Sequence, residues 1–194
     1  MEGRPDEFGS PYRLLSAAVV PRPIAWVSSR GSRGENLAPF SFFNVAAIDP
    51  PVLMVAPVGV GRERKDTPEN VLESEAFVVN VVTGDLVEAM NETAASLDAG
   101  ESEFERAGVT AVEATAVDAP RVEEAHVALE CTLAESMEMG GSTLLFGEVV
   151  HAHVDDDLLV EGHKLDVTKL DAVGRLAGGY YASTRDRYHL ERPP

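Results

Sequence analysis

Residues 21–43 read PRPIAWVSSRGSRGENLAPFSFF, and their pattern decides the fold. Ile24, Trp26 and Val27 stand among strand formers. Residues 30–35 (RGSRGE) supply the glycines a chain reversal needs, and an extended pattern resumes from Leu37 to Phe43. The stretch is predicted to be a ligand-facing hairpin of a mainly β barrel. Its polar residues cluster: Ser28 and Ser29 close the first run, while Asn36, Ser41 and Asn44 lie in or just after the second. Hydroxyls, an amide and free backbone groups gathered across a hairpin make a wall suited to a flat polar ring. Turns also collect Ser and Asn for backbone reasons of their own, so the residues alone leave an ordinary polar-rimmed hairpin open.

On the N-terminal side, residues 1–9 are expected to be a mobile arm. Ser10-Pro11 is a helix start, with Ser as N-cap and Pro in the first turn, so residues 12–18 are expected to be a short helix before VVPRP forces the chain extended. Beyond the hairpin, Asp49-Pro50-Pro51 is a turn and residues 52–55 a buried strand. Gly59-Val60-Gly61 fails as a dinucleotide fingerprint, because the sixth position is Arg64. In RERKDTPEN (62–70), Thr67 is the expected N-cap and Pro68 the first helical residue, with Val71 and Leu72 turned inward. The helix start offers free N–H groups beside Lys65, Arg62 and Arg64, a combination that suits phosphate; a solvated basic turn is the alternative.

Residues 76–83 (AFVVNVVT) form the next expected core strand. An amphipathic helix over 84–96 carries Leu86, Val87, Met90, Ala94 and Ala95, and a shorter helical piece covers 103–107. Residues 122–135 alternate, with Val127, Leu129, Cys131 and Leu133 on one face and Glu130 and Glu135 on the other. Cys131 is thereby a small core residue and not a reactive thiol. A hairpin over 137–154 turns at Gly140-Gly141. His151-Ala152-His153 puts two imidazoles on one strand face before three aspartates, and nothing in the sequence dependably supplies a third ligand, so no metal is expected. Residues 185–194 are expected to be a frayed tail.

At 194 residues the chain fits one domain, over 10–184, with a core large enough to need no staple. One cysteine rules out an intrachain disulfide and favours a reducing compartment. The N-terminus lacks the basic and apolar regions of a signal peptide, so a cytoplasmic protein is expected. A formal charge of −17 excludes nucleic acid and acidic membranes as partners. Lysine is confined to Lys65, Lys164 and Lys169. An acidic, lysine-poor surface of this kind suits concentrated salt, and the melting temperature is expected to fall in dilute buffer.

PRPIAWVSS, NLAPFSFFN, IDPPVLMV, KDTPENV and FVVNVVT, in that order and spacing, resemble the flavin reductase-like family of FMN-binding split β-barrels, and the likeness runs over residues 12–184. The resemblance implies a Greek-key barrel of about six strands with a few short peripheral helices, a homodimer, and FMN near the dimer interface. It implies that Ser28, Ser29, Asn36, Ala38, Pro39 and Ser41 hold the ring and ribityl chain, and that Lys65 and Thr67 hold the phosphate. In VGRLAGGYYAST (173–184), Arg175, Tyr180 and Tyr181 would bear on the ring.

The implied activity is an NAD(P)H-dependent FMN reductase that passes hydride to flavin N5. It needs no catalytic acid or nucleophile from the protein, and a partner oxygenase is an implied recipient of the reduced flavin. Reductases of this family commonly carry G-x-H-T where this chain has Gly140-Gly141-Ser142-Thr143, without the histidine. An FMN-containing electron-transfer protein and a non-catalytic flavin-binding module are the alternatives.

Overall fold

The computed structural model describes residues 2–97 and 101–193. Met1 of the expected arm and Pro194 of the expected tail lie outside them. The strands are β1 (Arg22–Pro23), β2 (Ala25–Gly31), β3 (Gly34–Phe40), β4 (Phe43–Ile48), β5 (Pro51–Val55), β6 (Ala76–Val81), β7 (Ala111–Glu113), β8 (Pro120–Val122), β9 (Val127–Met139), β10 (Ser142–Val154), β11 (Leu159–Val160), β12 (Lys164–Leu165), β13 (Val173–Arg175) and β14 (Tyr181–Ser183). The helices are α1 (Pro11–Ala18), α2 (Asp66–Ser74), α3 (Val87–Glu92) and α4 (Glu103–Ala107). None is long and apolar enough to cross a membrane among the described residues.

Seven strands form one antiparallel sheet in the order β3-β2-β6-β9-β10-β5-β4, against the expected six or so. Its two edge strands, β3 and β4, are consecutive in the chain and separated only by Ser41 and Phe42. Three Cα–Cα steps reach at most about 11 Å, so the sheet must curl until its edges meet there, which closes a barrel with a seam. Ala56 N–H donates to the Phe42 carbonyl at 2.8 Å, extending the β4–β5 ladder one pair beyond Phe43 and Val55.

Alternation along β2 then serves two cores. Ala25 and Val27 face the barrel interior with Leu53, Val55, Val71, Phe77, Val79, Cys131 and Leu145. Trp26 faces the other way, against Leu37, Met90, Phe104 and Val122 under α3 and α4. Gly147 lets the Phe77 ring lie against the backbone of β10: a Cβ there would stand 2.3 Å from Phe77 Cζ.

Short-range signals locate most elements. Ser10 caps α1 by accepting from Arg13 N–H at 3.2 Å. The β9–β10 hairpin turns on Gly140 and Gly141, both with positive φ, between paired Met139 and Ser142. Part of the expected arm is a 3-10 turn over Pro5–Phe8. The helix expected over 84–96 is confined to α3. It ends at Thr93, whose hydroxyl donates back to the Met90 carbonyl at 2.7 Å and accepts Trp26 Nε1–H at 2.9 Å. Glu130, expected on a polar outer face, is wholly buried because residues 115 and 116 lie over it.

Candidate functional site

Two adjoining cavities open beside β3. The first, of about 500 Å³, is walled by Asn36, Ala38 and Pro39 of β3, by Lys65 and Thr67 at the start of α2, and by the segment after α3. The second, of about 270 Å³, is lined by Arg22, Ser41, Met90, Arg175 and Tyr181. Pro39 and Ala94 belong to both and form the divide. Volumes of this size hold small molecules, whose sites run to roughly 300–1,000 Å³.

Eight of the eleven expected site residues therefore come together. The other three do not. Ser28 is wholly buried; its hydroxyl donates to the Pro120 carbonyl at 2.6 Å and accepts from Asn80 at 3.0 Å. Ser29 is also buried, and its hydroxyl accepts from Asn70 Nδ2 at 3.4 Å. Both stand on β2, which is paired on both sides, so their polar capacity is used inside the protein. Tyr180 is three-quarters exposed and lines neither cavity.

The start of α2 lies two residues earlier than expected. Lys65 is the N-cap and Asp66 the first helical residue, because Thr67 does not cap the helix. Its hydroxyl instead donates to Asn36 Oδ1, while Asn36 Nδ2 donates to Glu103 at 3.1 Å. This chain of bonds ties β3 to α2 and α4 and fixes the cavity wall. Around it the cations are mostly paired: Arg33 with Asp66 at 2.7 Å, and Arg64 with Glu138 at 2.6 Å and Glu69 at 3.6 Å. Lys65 has no ion pair or side-chain hydrogen bond with any described residue, so its ammonium is free beside the helix start.

Arg22 is the residue that sequence reasoning missed. It is 7% exposed and bonded only to neutral oxygens: the carbonyls of Ser16 (2.5 Å), Val19 (2.8 Å) and Leu176 (3.0 Å), and Ser41 Oγ (3.5 Å). The guanidinium sits at the C-terminal end of α1, where the helix dipole favours a cation, with no carboxylate against it among the described residues. Its flanking prolines were read only as extended chain. Across the same cavity Arg175 stacks on Tyr181, 4.5 Å from the ring centroid, and donates to its hydroxyl and to the Gly178 carbonyl. Cys131 takes no part: burial pushes its thiol pKa up to about 12, with a further rise from neighbouring Glu130.

Set beside known proteins, residues 16–169 match the family described as "Flavin reductase like domain". The Bacillus subtilis (strain 168) protein YwrF is 40% identical over 190 residues, covering 94% of this chain and 93% of the relative. Nitrilotriacetate monooxygenase component B from Bacillus cereus superposes with a TM-score of 0.91 at 36% identity, covering 98% of both chains. Pseudomonas fluorescens 2-nitrobenzoate 2-nitroreductase NbaA gives 0.86 at 35% identity, over 94% of this chain and 90% of that one. The split barrel, the two-part cleft against β3 and these likenesses agree: this chain belongs to the flavin reductase-like domain family.

Proposed function

We propose that the chain is an FMN-binding oxidoreductase that takes hydride from NAD(P)H. The observation that carries this reading is the free ammonium of Lys65 at the start of α2, beside an uncharged ledge of Ala38 and Pro39. An anionic tail and an aromatic ring on one ligand match those two features, so the residues present fit FMN. Lys65, the N–H groups opening α2 and the Asn36–Thr67 pair would receive the phosphate and ribityl hydroxyls. Pro39 and Ser41 would bear on the ring. Arg22 and Arg175 leave the second cavity positively charged, suited to the polar edge of the ring or to an incoming nicotinamide nucleotide. When bound, FMN supplies the hydride acceptor, N5. The protein's part is to align the two rings and exclude water, and no side chain is required as acid or nucleophile.

The Bacillus cereus relative is named as a monooxygenase component, which supports an oxygenase as recipient of the reduced flavin. A homodimer is supported by the unpaired edge of β4, where Val45 and Ile48 are exposed, and by exposed Val58, Met137 and Met139 near the β9–β10 hairpin tip. The single buried cysteine suits the cytoplasm.

Purified protein loaded with FMN and mixed anaerobically with NADH or NADPH is expected to lose the flavin's visible absorbance in a single rapid phase with at least one of them. Reduction only through a protein donor would replace this reading with the electron-transfer one. Failure to bind FMN at all would remove both.

A further inference from the structure

A second constellation of ligating groups lies on the opposite face of β9 from Cys131, outside both cavities. Register sets Glu130 of β9 against His151 of β10, and His153 follows two residues along the same strand. A register shift between Val149 and His151 turns the strand locally, and both imidazoles and the carboxylate converge. One ligand atom from each of the three lies within 4.8 Å of the other two. The sequence offered only the two histidines; the missing third ligand comes from the neighbouring strand.

The carboxylate of Glu130 is held as a ligand would be. It is fully buried, Oε1 accepts from Thr115 N–H at 2.8 Å, and Oε2 accepts from Ala116 N–H at 2.5 Å. No lysine or arginine pairs with it among the described residues; only His153 Nε2, at 2.5 Å from Oε1, faces it. The two backbone N–H donors favour the ionised carboxylate, and a divalent cation would complete its partners. The His151 ring stands 4.9 Å from that of His153 and has no hydrogen-bond partner among the described residues, which leaves both its nitrogens for an external ligand.

We propose that Glu130, His151 and His153 form a binding site for one divalent transition-metal ion of the zinc class, with water in the remaining position. Two imidazoles and a carboxylate are the donor set such ions prefer. The backbone donors on Glu130 orient its ligating oxygens as an outer shell does. The 2.5 Å between Glu130 Oε1 and His153 Nε2 is shorter than the roughly 3.3 Å edge of a zinc tetrahedron, so the ion would displace the proton between them and widen that pair as His151 turns in. The ion would pin the 115–116 segment to the sheet, independently of any flavin.

The test uses untagged, chelator-stripped protein titrated with Co²⁺ and then Zn²⁺. One Co²⁺ per chain is expected, with the intense visible bands of four-coordinate cobalt, displaced by Zn²⁺ and accompanied by a rise in melting temperature. His151→Ala should weaken Co²⁺ binding by at least about tenfold while leaving the metal-free melting temperature unchanged, since His151 has no hydrogen-bond partner among the described residues. His126→Ala should bind as the parent does. Absence of Co²⁺ binding, or binding that His151→Ala leaves intact, would overturn the proposal and leave Glu130–His153 as a plain ion pair. The His151 result decides even if Glu130→Gln fails to fold.

Discussion

β2 and β3 are the two arms of one hairpin and differ in a single respect that governs everything polar on them. β2 is paired on both sides, to β3 and β6, whereas β3 is an edge of the sheet with only β2 beside it. The two serines of β2 are therefore enclosed and satisfied by the protein: Ser28 by Pro120 and Asn80, Ser29 by Asn70. Those of β3 and the turn after it face the cavities. Polar residues of similar chemistry, a few positions apart, thus divide into structural and ligand-facing groups according to strand order. The first group should control stability and the second affinity.

The largest effect that can break this contrast is expected behind β2. Asn80 is fully buried and makes three bonds: to the Trp26 carbonyl (3.0 Å), to Ser28 Oγ (3.0 Å) and from Val122 N–H (2.9 Å). Asn80→Ala leaves the Trp26 carbonyl and the Val122 N–H without this partner and Ser28 with Pro120 alone, and at ~1–3 kcal/mol for each buried unsatisfied group the summed loss of folding stability is about 3–4 kcal/mol. Urea unfolding measures it. FMN affinity of the folded fraction should stay as it was; a selective loss of affinity would place the β2 side of the hairpin in the site after all.

The converse is expected at Lys65. Removing an unpaired, solvent-reaching ammonium leaves nothing buried behind, so Lys65→Ala should hold stability within roughly 0.5 kcal/mol. FMN binding should weaken by about 1.5–3 kcal/mol, the worth of a charged hydrogen bond to phosphate. Fluorescence titration with FMN and riboflavin sharpens the point: the variant should lose its preference for the phosphorylated form. Equal affinity in parent and variant would take Lys65 out of the site.

What the sequence made legible was local. The Ser10 cap, the Gly140-Gly141 turn, the two arms of the 21–43 hairpin and the burial of Cys131 each follow from neighbours in the chain. What it hid depends on long-range pairing. Nothing near Ser28 indicates that Pro120 will sit 2.6 Å from its hydroxyl, nor near His151 that Glu130 will be its cross-strand partner. Arg22 was invisible for the same reason, since its three carbonyls come from α1, its flank and a segment 154 residues away. Thr67 shows how a local rule can lose to a distant one. It has a good capping side chain, but Asn36 takes its hydroxyl, and the helix starts at Asp66 instead.

The smallest effect belongs to polar groups that are satisfied yet wet, a case between the two arms of the hairpin. His126, before β9, lies between two carboxylates: Nδ1 is 2.7 Å from Asp155, after β10, and Nε2 is 3.1 Å from Asp85, after β6. The bond to Asp155, and secondarily that to Asp85, outweigh partial burial and raise its pKa above the ordinary 6.5. A raised folded-state pKa means that the imidazolium's contribution is fully present below the unfolded value and is lost as pH rises through the folded one. Stability should therefore decline from about pH 6.5 upward, and only by ~0.2–1 kcal/mol, because a side chain 38% exposed is screened by water. His126→Ala should flatten that decline without touching FMN affinity. A parent protein whose urea midpoint is level across the interval would show that a charge bridging three strand ends counts for nothing once water reaches it.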